Sequence, residues 1–122
     1  MALQGTILFA HGSRDPLWRK PAEAIAERLR TLDPARRVAC AYLEMTEPDI
    51  QTSAADMARQ GVDRINVVPL FLGVGKHARE DLPLLMANLK AAHPHIAFTL
   101  QGAVGEDKRL VDLIAHMALS SS

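Results

Sequence analysis

Four short apolar runs alternate along the chain with four stretches in which apolar residues recur every three or four positions. Thr6–Ala10 (TILFA), Arg37–Leu43 (RVACAYL), Arg64–Leu72 and Ile96–Leu100 have strand length. They are continuously apolar at their centres rather than alternating, as expected of strands buried on both faces. Trp18, Ala22, Ile25, Leu29 and Leu32 follow the first run at steps of four, three, four and three, which is one helical face that ends near Leu32-Asp33-Pro34. Pro21 marks the first turn of that helix. Ile50, Ala54, Met57 and Val62 give a second stripe, with Gly61 as its C-terminal stop. Leu82, Leu85, Met86 and Leu89 give a third that ends before His93-Pro94-His95, and Leu110, Leu113, Ile114 and Met117 give a fourth. Residues 118–122, closing on three serines, read as a frayed tail.

The order β-α-β-α-β-α-β-α with apolar strands predicts an α/β fold: a doubly wound, four-stranded parallel sheet with helices on both faces. The simplest strand order is the flavodoxin-like 2-1-3-4. No linker or low-complexity segment divides the chain, so residues 1–122 form a single domain. One element conflicts with its neighbours. Pro69 falls inside the third run, and proline is unwelcome in a central strand, so the ladder loosens there or a bulge forms.

Open parallel sheets bind ligands outside the carboxyl ends of their strands, at the point where the winding reverses. In the order 2-1-3-4 that point lies between the first and third strands. His11 directly follows the first strand, Glu44 closes the second, and His77 lies a few residues past the third across a loop containing Gly73 and Gly75. Topology therefore gathers two imidazoles and a carboxylate at one edge, and the two glycines are expected to let the loop carry His77 over the crevice. Such a set can hold Co²⁺, Fe²⁺, Ni²⁺ or Zn²⁺ while leaving coordination positions open. Arg14, Lys76 and Arg79 share the rim and could grip an anion, helped by Ser13 and the N–H groups of a helix starting after it.

Each residue also has a plainer reading. His11-Gly12-Ser13 suits a tight turn, Glu44 could cap the helix that follows, and rim cations are commonly just solvated. Only the joint placement favours chemistry. His93, His95 and His116 serve as controls: they fall at the amino edge, where solvated or capping roles are expected.

Composition narrows the field. Lys plus Arg number 14, as do Asp plus Glu, so the basic excess of a general nucleic-acid or membrane-surface binder is missing. No run approaches the length of a membrane span, and the start carries no evident signal peptide. Cys40, the only cysteine, rules out an internal disulfide and a cysteine-rich zinc site; within an apolar strand it reads as a buried, inert thiol. A cytoplasmic, reducing location is the expectation.

Three segments, LFAHGSRDP (Leu8–Pro16), AYLEMTEPDI (Ala41–Ile50) and VPLFLGVGKHAREDLP (Val68–Pro83), occur in an order that resembles the small CbiX-type sirohydrochlorin chelatases. The resemblance covers almost the whole chain. It implies insertion of a divalent metal, Co²⁺ or Fe²⁺, into sirohydrochlorin on the way to cobalamin or siroheme, with no organic cofactor. It implies that His11 and His77 bind the metal and that Glu44 accompanies them as ligand or base. The family also contains longer chains with two such domains, so a homodimer is implied for a single-domain chain. The residues themselves leave open a metal carrier that uses the same His/Glu set without a macrocycle. An anion-binding module built on HGSRD lacks the glycine spacing of a phosphate loop, and a histidine phosphotransferase would want arginine rather than Ala10 beside His11.

Overall fold

A computed structural model describes residues 3–120. Its strands are β1 (Gln4–Ala10), β2 (Arg37–Tyr42), β3 (Arg64–Pro69) and β4 (Ala97–Leu100). Its helices are α1 (Lys20–Leu32), α2 (Ile50–Arg59), α3 (Lys76–Ala92) and α4 (Lys108–Leu119). All strands are parallel in the order β2-β1-β3-β4, so the winding reverses between β1 and β3 as expected. The register places Leu8 opposite Cys40 on one side and Val68 on the other.

Side chains alternate across the sheet, and the two faces are filled unequally. Ile7, Phe9, Ile65 and Val67 point into the core with Ile50, Ala54 and Met57 of α2 and Leu82, Met86 and Leu89 of α3. On the opposite face α1 lies over β2 and β1, but its expected apolar stripe is mostly uncovered. Ala22 and Ala26 are buried, whereas Trp18, Ile25 and Leu32 are exposed. Helix α4 has the apolar stripe read from the sequence, yet none of its described residues is buried.

Pro69 causes no bulge. It ends β3 in unbroken register opposite Phe9. The next N–H, that of Leu70, turns to Phe9 of β1, so the nitrogen of Pro69 faces the β4 side. There the ladder has already finished at Val67 and Leu100, and no strand asks for the missing donor. Helix α4 also corrects an expectation, because Ala118 and Leu119 continue the helix rather than fray. The Ser120 hydroxyl donates to the His116 carbonyl and holds the last turn closed. Residues 121 and 122 lie outside the described part. No helix among the described residues is long and apolar enough to cross a membrane.

Candidate metal-transfer site

The segment after β1 folds by using up its own polar groups. The Ser13 hydroxyl oxygen accepts from the Asp15 N–H, and the Asp15 carboxylate accepts from Leu17. Asp15 thereby caps a short 3₁₀ turn, Pro16–Arg19, that runs into α1. The helical start thus follows Asp15 rather than Ser13, and Ser13 serves the turn. The Trp18 indole N–H then donates to the His11 carbonyl at 2.9 Å, which fastens this turn to the end of β1.

His11 and Glu44 meet at the carboxyl edge. His11 Nδ1 lies 3.4 Å from Glu44 Oε1, and both side chains are about half exposed, at 52% and 42%. Gly12 makes this meeting possible. A Cβ there would fall 1.6 Å from the Glu44 carbonyl oxygen, closer than any side chain allows. Beyond Glu44 the chain turns through Met45, whose φ of 68° lies in the left-handed region that a residue with a side chain enters at a cost. Asp49, not Glu44, caps α2 by accepting from the Thr52 N–H. That bond holds the Asp49 carboxyl below its usual range. The capping role weighed for Glu44 is therefore filled by another residue, and Glu44 is left facing His11.

The imidazole of His11 rests on Phe71, ring centres 4.6 Å apart, and Phe71 packs edge-on against Phe9. Sequence reasoning missed Phe71 as a support. No sequence signal pointed to it, because the register that pairs Phe9 with Pro69 and so sets His11 beside Phe71 comes only with the fold. Trp18 was missed as well, having been read only as part of a helix face, and no local signal ties it to His11.

His77 occupies the first turn of α3, not a loop. Gly75 is the N-cap with an ordinary φ of −66°, and a Cβ at Gly73 or Gly75 would meet no described atom within 4 Å. The expectation that these glycines let the loop carry His77 finds no close approach or left-handed φ that calls for glycine, and the helix start delivers the histidine. His77 and Lys76 are exposed on this turn. Arg79 folds back to donate to the Val74 carbonyl at 3.3 Å, and Arg14 is exposed beyond His11. Among the described residues no three His, Cys, Asp or Glu side chains stand together as a metal cage. The structure brings His11 and Glu44 together and sets His77 on the same edge apart from them.

The other histidines behave as local groups. His93 closes α3, its backbone N–H donating to Leu89, and its ring lies near those of His95 and Phe98. His116 Nδ1 faces the Asp112 carbonyl at 2.8 Å within α4. Cys40 is half-buried with its thiol toward the Ala22 carbonyl, and burial pushes that thiol up, away from the reactive thiolate.

Comparison with known proteins places the chain and its fold among chelatases. The sirohydrochlorin cobaltochelatase of Sulfolobus acidocaldarius is 32% identical over 114 residues, covering 93% of this chain and 89% of that protein. The sirohydrochlorin cobaltochelatase of Methanopyrus kandleri is 38% identical over 80 residues, but the match spans 66% of this chain and only 56% of the relative. Among solved structures, a putative cobalamin biosynthesis CbiX protein from Marinobacter aquaeolei superposes with a TM-score of 0.83 at 34% identity, over 95% of this chain and 94% of that one. The cobalt complex of the sirohydrochlorin chelatase SirB from Bacillus subtilis gives 0.80 at 29% identity, covering 96% of this chain and 50% of SirB. The CbiX family model matches residues 5–120, and the chain belongs to that family.

Proposed function

We propose that this chain is a sirohydrochlorin metal chelatase that carries a divalent ion, Co²⁺ or Fe²⁺, to the macrocycle at the carboxyl edge of its sheet. The observation that carries the reading is the His11–Glu44 pair at 3.4 Å on the winding-reversal crevice, in a chain of the CbiX family. The metal is a substrate here, so it must be held and then released. A carboxylate beside Nδ1 favours the tautomer with its proton on that nitrogen and leaves Nε2 of His11 to the metal. His77, exposed on the first turn of α3 at the same edge, is the second imidazole of this reading. Few protein ligands leave open positions for the four macrocycle nitrogens.

Insertion replaces two pyrrole protons by the metal. In this reading Glu44 accepts one proton as the ion passes, and the second leaves to solvent at this half-exposed edge. The acidic side chains of sirohydrochlorin find Arg14, Lys76 and the uncapped N-terminus of α3 on the rim, with Arg79 able to leave the Val74 carbonyl for a carboxylate. The reaction needs no organic cofactor. Siroheme and cobalamin synthesis are the two routes that use such a product. A cytoplasmic location suits an enzyme with a free thiol, and a homodimer is the assembly this reading carries.

An absorbance assay with sirohydrochlorin and each metal in turn tests the proposal. His11→Ala and His77→Ala are expected to abolish accelerated insertion. Glu44→Gln, which keeps the shape and loses the charge, should weaken metal transfer roughly 10–100-fold. Unchanged rates in the histidine variants would overturn the site. A metal carrier would bind the ions yet leave the sirohydrochlorin spectrum unmoved.

A further inference from the structure

Trp18 is the chain's single tryptophan, and it is left 56% exposed just before α1. Burial therefore does not account for it. Its polar handle is engaged instead, the indole N–H donating to the His11 carbonyl at 2.9 Å. That carbonyl is the first on the chain beyond the sheet. The Ala10 carbonyl before it still accepts from the Leu43 N–H, and β1 ends there. The indole takes over where the ladder stops.

The residue after His11 makes this bond matter. Gly12 is required by the close approach of the Glu44 segment, and glycine brings backbone freedom to the peptide beside a metal-binding side chain. A hydrogen bond to the His11 carbonyl restrains the plane of the His11–Gly12 peptide, and with it the direction in which the imidazole leaves the backbone. Trp18 can act as a fixed post because its own turn is closed. Its backbone N–H donates to the Asp15 carbonyl at 3.0 Å, the Asp15 carboxylate accepts from the Leu17 N–H at 2.9 Å, and the turn runs straight into α1. Phe71 and Glu44 meet the imidazole ring, whereas Trp18 holds the backbone that carries it.

We propose that Trp18 is a positioning residue for His11: its indole N–H holds the His11–Gly12 peptide so that the imidazole is aimed before the ion arrives. The proposal rests on the reading that His11 holds the ion, and it names what aims it. A side chain that must capture and release an ion repeatedly gains from being held beforehand, because less conformational freedom is lost at each capture. Trp18 acts here through the His11 backbone, so its loss weakens ion capture and leaves the hold on the macrocycle unchanged.

The test exchanges one atom. Because residue 18 is the only tryptophan, a tryptophan-auxotrophic host fed benzothienylalanine replaces the indole N–H by sulfur at that position alone. The ring keeps its shape and loses its donor. Titration of the full chain with Co²⁺ alone, followed by the visible absorption of the bound ion, is expected to show affinity about twofold to tenfold weaker, what one net hydrogen bond contributes. Trp18→Phe should show a loss of the same size and stands in if the analogue protein fails to fold. Azatryptophan with its extra nitrogen in the six-membered ring keeps the N–H and should keep wild-type affinity. With sirohydrochlorin and subsaturating Co²⁺, insertion should slow in step with Co²⁺ affinity while KM for the macrocycle stays the same. Unchanged Co²⁺ affinity in the benzothienyl protein, with or without a lower melting temperature, would overturn the positioning role. An equal loss with azatryptophan would overturn it too. His11→Ala separates the two readings. Full Co²⁺ affinity in that variant would overturn the metal site and this inference together, whereas its loss there beside unchanged affinity in the benzothienyl protein would overturn this inference and leave the site standing.

Discussion

Gly12 shows how one missing side chain sets a site. The segment carrying Glu44 approaches so closely that a methyl group at residue 12 would overlap the Glu44 carbonyl. Gly12→Ala must push the two segments apart, and forced overpacking of this kind costs about 1–3 kcal/mol. Thermal denaturation should register that loss, and metal insertion should fall by more than the stability change alone accounts for, because His11 and Glu44 separate. Gly73→Ala is the contrast: with open space around it and no left-handed φ, it should be neutral or stabilise by about 0.4–1 kcal/mol. Equal effects at the two positions would refute this account. Phe71→Leu removes the ring beneath His11 and should weaken metal binding several-fold while leaving KM for sirohydrochlorin unchanged. The placement of His11, Glu44 and His77 at one edge was legible in the sequence because topology sets where the strands end. Gly12, Phe71 and Trp18 were not, since their roles lie in a close approach, a ring contact and a hydrogen bond made in three dimensions.

At the scale of elements, strand number and order were legible from uninterrupted apolar runs. Boundaries were less so. Helix α3 reads as starting at Leu82 because Lys76, His77, Arg79, Glu80 and Asp81 are polar and exposed, leaving Ala78 as the one buried position of that segment. Pro83, which cannot donate to the Arg79 carbonyl, adds to the impression of a later start. The caps carry a pH signature. Asp107 caps α4, and hydrogen bonds from the Arg109 side chain and backbone hold its carboxyl at about 2. A carboxyl lowered by folding stabilises the fold above its unfolded value, about 4, and that contribution disappears as pH falls through the folded value. Wild type should therefore exceed Asp107→Asn in melting temperature near neutrality, and the gap should close between about pH 4 and pH 2. A gap that widens on acidification would reverse the sign and refute the linkage. For α2, Asp49→Ala should cost about 1 kcal/mol in chemical denaturation, the usual worth of a side-chain N-cap.

For the whole molecule, the two faces of the sheet make different demands. Helical periodicity announces that α1 and α4 each have an apolar side, but a stripe in a sequence does not say what covers it. Trp18, Ile25 and Leu32 show this: they form the expected face, and nothing among the described residues of a single copy covers it. If a second copy supplies the cover, folding and assembly are linked, and stability must depend on protein concentration. Diluting a dimer a hundredfold removes about 2.7 kcal/mol of assembly free energy, shared between two protomers. For a domain of this size that lowers the melting midpoint by about 5 °C. Scanning calorimetry across that dilution range should show the shift for the wild type. Ile114→Asp/Met117→Asp should melt at one lower temperature at every concentration, because its protomers never gain the buried face. A wild-type midpoint that ignores dilution, in a chain that sediments as a dimer at both ends of the range, would mean that the two copies touch without sharing the apolar surface, and the exposed stripes of α1 and α4 would need another explanation.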